Sequence, residues 1–169
     1  MKKQYRLRIF DFLNCLSDIL DWISPVLNDH HKQVALIALR LAETLDLPVV
    51  EQNEIVCAGI LHDIGAISLA ERMESMKFES VTGQAHAELG YYLVNIFAPM
   101  QKTAEIIRFH HVPWENGQGR FYKGRPVSLG SRILFLADHI ALLIRKDREI
   151  LGQLDEIKEK IVAGKGLMF

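Results

Sequence analysis

The sequence predicts an all-α domain, a bundle of about seven to eight helices. Three observations carry this. Apolar residues recur with a helical period along nearly the whole chain, and no convincing alternating strand interrupts them. The prolines fall between the periodic stretches, where helices must end. The chain has 169 residues, enough for one domain to bury a core without disulfide staples.

The first helix, about 4–22, starts basic in "MKKQYRLRIF" and turns amphipathic. Asp11, Asn14, Asp18 and Asp21 interrupt its apolar run too often for a signal peptide or a membrane span. It is expected to cap the domain, with pairing to a partner as the alternative. "SPVLND" separates it from a second helix, about 29–45, which stops before Pro48. A third, about 51–63, ends near Gly65, and a short fourth covers about 67–76. A fifth, about 84–97, stops before Pro99, and a sixth, about 100–111, breaks at Pro113. The glycine-rich loop "VPWENGQGRFYKGRP" leads to a helix of about 128–145 and a last one of about 147–163. Residues 1–169 thus read as a single domain, with 1–25 as an N-terminal helical segment and 28–145 as its core. The apolar tail "GKGLMF" has no obvious stop and is compatible with a domain cut from a longer protein.

Hydrophobic residues make up 49% and charged residues 24%, the balance of an ordinary globular domain. A formal net charge of −1 gives no electrostatic ground for DNA, RNA or a membrane as partner. Cys15 and Cys57 are too few for a disulfide framework and read as reduced thiols in a cytoplasmic protein. Cys57 is expected to be a small buried hydrophobe.

The helical stripes carry unexpected polar residues. His30 shares one with Val34, Ile37, Leu41 and Leu45. His62 follows Ile55 and Ala58, and His86 precedes Leu89, Gly90, Leu93 and Phe97. His110 and His111 end the stripe of Thr103 and Ile106 or Ile107, while Asp138 lies among Leu134, Phe135, Ala141 and Leu142. A lone inward histidine is usually a hydrogen-bonded core residue. Five helices doing this together is another matter. The stretch "GILHDIGAI" adds Asp63 beside His62, and burying an unpaired carboxylate costs several kcal/mol. Few inward cations are available to match these groups. Divalent metal ions would satisfy all of them at once. Imidazoles and carboxylates suit iron, manganese, zinc or nickel, and the lack of spaced cysteines argues against a structural zinc site. Neighbouring helical residues point about 100° apart, so His62 can reach one ion while Asp63 bridges to a second.

The order His30, His62-Asp63, Asp138 resembles the HD superfamily of metal-dependent phosphohydrolases, over roughly residues 28–145. His86 in "HAELGYYL" and the doublet in "FHHVPW" resemble the HD-GYP branch, whose characterised members hydrolyse cyclic di-GMP at a two- or three-metal centre. The resemblance implies an HD-domain helical bundle. It implies one metal held by His30, His62, Asp63 and Asp138, and another by Asp63, His86, His110 and His111, with Asp63 and His62 at the chemistry. Two divalent ions are expected, iron or manganese first, with nickel or zinc as alternatives. The expected substrate is a small phosphate ester or nucleotide, and a homodimer or attached signalling domains fit the same picture. His30 is chosen over His31 because it stands four residues before Val34; His31 is expected to be exposed or to pack behind the ligands. His139 is expected to be structural or solvent-facing.

The chain also departs from the family. Ala66 stands where the family's HDxGK motif has a lysine, and "ENGQGRFYKGRP" lacks the Tyr-Pro that follows "DGxG" in the branch. The stretch "HIALLIRKDREIL" after Asp138 lacks the usual Asp-Ala-Leu-Thr and Arg-Pro-Tyr-Arg motifs. Arg108, Arg120, Lys123 or Arg125, near the glycine-rich loop, are the candidates to meet the substrate phosphate in that lysine's place. Two functional expectations follow: a phosphohydrolase acting on a cyclic dinucleotide or related nucleotide, or a metal-holding signalling module with weak or no catalysis.

Overall fold

Small residues decide how this bundle packs. The computed structural model describes residues 8–21, 29–68 and 84–169. Among them are seven α-helices: α1 (Ile9–Asp21), α2 (His30–Thr44), α3 (Val49–Leu61), α4 (Gln84–Asn95), α5 (Gln101–Arg108), α6 (Leu129–Leu143) and α7 (Leu154–Ala163). The all-α class is as expected. The helix expected over 67–76 lies almost wholly outside the described residues, as do both ends of the stretch 4–22.

α2 lies against α3 and α6, and α4 against α5. The inner face of α2 is built on Val34, as expected, together with Ala35, Ala38 and Ala42; Ile37 and Leu41 are half-buried against the core, and Leu45 is exposed. Alanines let α3 come so near that a Cβ placed on Gly59 would lie 2.7 Å from the Ala35 Cα. Val34, Ile55, Ile107 and Leu134 are fully buried at the centre, each worth roughly 1.5–3 kcal/mol in transfer from water.

The stripe expected on α4 is rotated. His86, Ala87, Gly90 and Val94 face inward, whereas Leu89, Leu93 and Phe97 are exposed. Again the small side wins. The turn at Gly65 presses against α4 so closely that a Cβ there would sit 2.1 Å from the His86 carbonyl oxygen.

Helix ends also differ from expectation. α5 stops at Arg108, leaving Phe109, His110 and His111 in a turn. α7 begins only at Leu154 because the buried Gln153 side chain organises the segment before it. Its amide donates to the carbonyl of Arg145 at 2.9 Å, and its Oε1 accepts the Arg145 N–H at 2.8 Å. The glycine-rich loop holds a kinked pair of short turns within Glu115–Arg120, broken at Asn116 and Gly117 by φ values of 54° and 93°, and a short antiparallel ribbon of β1 (Phe121–Tyr122) and β2 (Arg125–Pro126). Lys123 and Gly124, both at positive φ, make the two-residue turn that such a ribbon requires. The loop is pinned from outside: Trp114, Glu115 and Asn116 donate their N–H groups to the carbonyls of Met168, Leu167 and Gly166. Among the described residues no helix is long and apolar enough to cross a membrane.

Candidate metal centre

Each polar doublet sits where a helix begins or ends, so its side chains escape the regular stripe. Asp29 takes a left-handed conformation, φ 62°, and starts α2 with His30 and His31 in its first turn. His62 and Asp63 leave the C-terminal end of α3 in a tight turn, with Ile64 N bonded to Leu61 O and Ala66 N to Asp63 O. His110 and His111 leave α5 in the same manner. His86 comes from the first turn of α4, and Asp138 from the middle of α6.

These elements bring the seven candidate residues into two adjacent groups. In one, His30, His62 and Asp138 offer ligand atoms within 4.8 Å of one another. In the other, Asp63, His86, His110 and His111 do the same. Ligands bonded to one first-row ion at 2.0–2.2 Å lie up to about 4.4 Å apart, so each group is within a few tenths of an ångström of the span of one cation's ligand shell. Asp63 faces both: Oδ1 is 3.0 Å from His86 Nε2, and Oδ2 is 3.5 Å from His62 Nε2. Asp138 Oδ1 lies 3.2 Å from His30 Nε2 and 3.7 Å from His62 Nε2. His86 and His111 oppose their Nε2 atoms at 2.9 Å.

Two of the rings show how the nitrogen is aimed. His62 donates Nδ1–H to the Gly59 carbonyl at 2.8 Å, and His110 donates Nδ1–H to the Ile107 carbonyl at 2.6 Å. This fixes the tautomer and leaves each Nε2 with its lone pair directed into the group. Both Nε2 atoms are buried and make no hydrogen bond. A buried acceptor without a donor is costly, and a cation is the partner these nitrogens fit.

Electrostatics match that role. Burial holds His62 below the ordinary imidazole range and His110 well below it, while His111 is brought down to about 4, by burial first and then by His86. These rings are therefore neutral donors at neutral pH. Burial pushes the Asp63 carboxyl up, but the imidazoles, His62 first, outweigh it and hold the group well below the carboxylate range. Asp138 is lowered in the same way, against burial, chiefly by its hydrogen bond from His30. The arrangement is two clusters of His and Asp able to coordinate divalent metals.

Of the two places expected for His31, exposed or behind the ligands, it takes the second: it is 0% accessible, its ring 5.2 Å from that of His62 and 5.6 Å from that of His30. His139, expected to be structural or solvent-facing, is structural. It is buried with Nδ1 bonded to the Phe135 carbonyl at 2.8 Å and its ring against Phe135 and Phe169. Cys57 is half-buried rather than buried, and burial followed by Glu54 pushes its thiol up. The four candidate cations lie outside both clusters. Arg108 bonds Glu88 across α4 and α5 and stacks 4.3 Å above the Tyr91 ring. Arg120 lies over Trp114, Lys123 over Tyr122, and Arg125 is 3.5 Å from Glu105. Sequence reasoning missed Arg132, whose guanidinium donates to the carbonyls of Val112 and Gly119 and so fixes the loop beyond His111. Its place in the first turn of α6, opposite a glycine-rich loop, was the available signal.

Comparison with known proteins agrees with this geometry. A family model described as HD domain matches residues 28–143. The chain is 26% identical over 178 aligned positions to a cyclic di-GMP phosphodiesterase of Thermotoga maritima, covering 99% of this chain and 47% of the relative. It is 24% identical over 132 positions to 3′3′-cGAMP-specific phosphodiesterase 1 of Vibrio cholerae, covering 76% of this chain and 30% of the relative. The chain therefore spans less than half the length of either relative.

Proposed function

The chain belongs to the HD domain family, and from that premise we propose that it is a metal-dependent phosphohydrolase of the HD-GYP type, cleaving a phosphodiester in a cyclic dinucleotide or a related nucleotide. One observation carries this reading: Asp63 turns one carboxylate oxygen toward each of two metal-sized clusters. The names of the two relatives support the substrate class.

In this reading His30, His62, Asp63 and Asp138 would hold one divalent ion, and Asp63, His86, His110 and His111 would hold the other. Iron or manganese is the favoured occupant. When bound, two such cations would supply Lewis acidity toward phosphate oxygens and lower the pKa of a water toward neutrality. The protein's part is orientation. The Gly59 and Ile107 carbonyls hold His62 and His110 in the ligating tautomer. Burial keeps His62, His110 and His111 neutral, and buried surroundings strengthen every charge interaction among the ligands. Asp63, held well below the carboxylate range, is a weak base, which favours the ligand role over that of proton acceptor. Arg120, Lys123 and Arg125 are exposed on the loop beyond His111 and are proposed to meet the substrate's phosphates. Arg108 is already matched by Glu88 and is proposed to hold α4 on α5 instead.

A second reading, a metal-holding signalling module with little catalysis, is favoured by Ala66, a fully buried methyl where a catalytic lysine would stand. One assay separates the two. Protein loaded with iron or manganese is incubated with cyclic di-GMP, 3′3′-cGAMP, linear nucleotides and a chromogenic phosphodiester. Turnover that disappears in Asp63→Ala supports the enzyme. Tight metal binding without turnover of any of these compounds supports the module.

A further inference from the structure

Three doublets line the centre: His30-His31, His62-Asp63 and His110-His111. Both members of the last two supply atoms to the metal-sized clusters, whereas of the first only His30 does. Yet His31 is as deeply buried as any ligand. Its ring, with those of His30 and His62, forms a near-equilateral triangle, with centroids 5.2, 5.4 and 5.6 Å apart. The helix approach explains how it gets there. Ala35 is one turn after His31 on α2, and Gly59 is one turn before His62 at the end of α3. These two touch so closely that no side chain fits on Gly59. The Ala35–Gly59 contact thus carries His31 onto the flank of His62, while the Gly59 carbonyl holds the opposite nitrogen of the same ring.

We propose that His31 is a positioning residue for the cluster of His30, His62 and Asp138, bracing both imidazoles from the side so that their Nε2 atoms converge on one ion. This rests on the reading that the cluster holds a divalent cation. Its effect falls mainly on that cluster, because His31 lies against His30 and His62; the other group is reached at second hand, through the contacts of His62 with His110 and Asp63. Groups that orient ligands in this way typically change metal affinity 10–100-fold when removed.

Cobalt(II), titrated into chelator-stripped protein, reports both occupancy and ligand geometry through its visible absorption. Wild-type protein should take up two ions. His31→Ala should bind one of them about 10–100-fold more weakly, with an altered spectrum for that site and a smaller change at the second. His31→Phe, which returns a ring to the same space, should recover part of the loss. His31→Leu, close to histidine in volume but without a flat ring, keeps the test open should His31→Ala not fold. It should behave like the alanine variant. Two ions bound by His31→Ala or His31→Leu with wild-type affinity and spectrum would overturn the proposal, as would a lowered melting temperature of the metal-free protein with both affinities unchanged. A wild-type protein that takes up no cobalt fails at the earlier step, the cluster itself.

Discussion

The carbonyl oxygen of Gly59 accepts the Nδ1 hydrogen of His62 at 2.8 Å, and the Cα of the same glycine lies against the backbone of Ala35. One residue therefore sets both the spacing of α2 and α3 and the direction of a candidate metal ligand. An added methyl meets backbone atoms of Ala35 at 2.7 and 2.9 Å, which no side-chain rotation relieves. Gly59→Ala should push the helices apart at a cost of about 1–3 kcal/mol, read as a lower urea midpoint at unchanged slope. Metal affinity should fall with it, because His62 moves with the helix.

The buried imidazoles set the acid limit of the metal-free protein. His111 titrates at about 4 when folded and near 6.5 when unfolded. Between those values the unfolded ring takes a proton that the folded ring refuses, so stability falls as pH drops through that window and levels off below it. A shift of that size corresponds to roughly 3 kcal/mol. His62 and His110, also lowered, act in the same direction. Asp63 and Asp138, held below the carboxylate range, add a further loss as pH falls below the ordinary carboxylate pKa of 3.8 toward their folded values. Urea melts of chelator-stripped protein from pH 7.5 to 4.5 should show a steady decline beginning near pH 6.5, and His111→Gln should flatten it.

Arg132 ties α6 to the loop beyond His111 through two backbone carbonyls. Arg132→Ala leaves both acceptors without their donor and should cost roughly 2–3 kcal/mol in denaturant melts. Arg132→Lys should recover only part of this, since a single ammonium cannot span two carbonyls as a planar fork does.

The role of Arg108 can be decided by kinetics once turnover is measurable. Its bonds to Glu88 make it a tie between helices, so Arg108→Met should lower stability by about 1 kcal/mol and leave KM for a phosphodiester unchanged. A raised KM with stability intact would instead place its guanidinium on the substrate.

The candidate site was more legible in the sequence than the packing around it. A buried polar side chain inside an apolar stripe is conspicuous at any register, which is why His30, His62, Asp63, His86, His110, His111 and Asp138 could be named from spacing and resemblance and are found side by side. The helical faces were harder. The expected stripes placed Val34, His86 and Gly90 correctly but also took in Leu45, Leu89, Leu93 and Phe97, which are exposed, because close helix approach gives the inward side to Ala35, Ala38, Ala42 and Ala87. For His31 the sequence left two places open, exposed or behind the ligands, for a related reason. In the first turn of a helix, a residue next to an inward one is buried whenever a neighbouring helix comes near enough, and the Ala35–Gly59 contact that brings it near is tertiary. The start of α7 depended on the bonds of one buried glutamine, which no periodicity reveals.

The central claim is that two neighbouring clusters of imidazole and carboxylate each hold a divalent ion. Elemental analysis of protein produced with iron and manganese supplied, then freed of loose metal by gel filtration, tests it most directly. The expected result is close to two ions per chain, falling by at least one in Asp63→Asn, because Asp63 faces both clusters. A chain that emerges folded and carries no stoichiometric metal would contradict it.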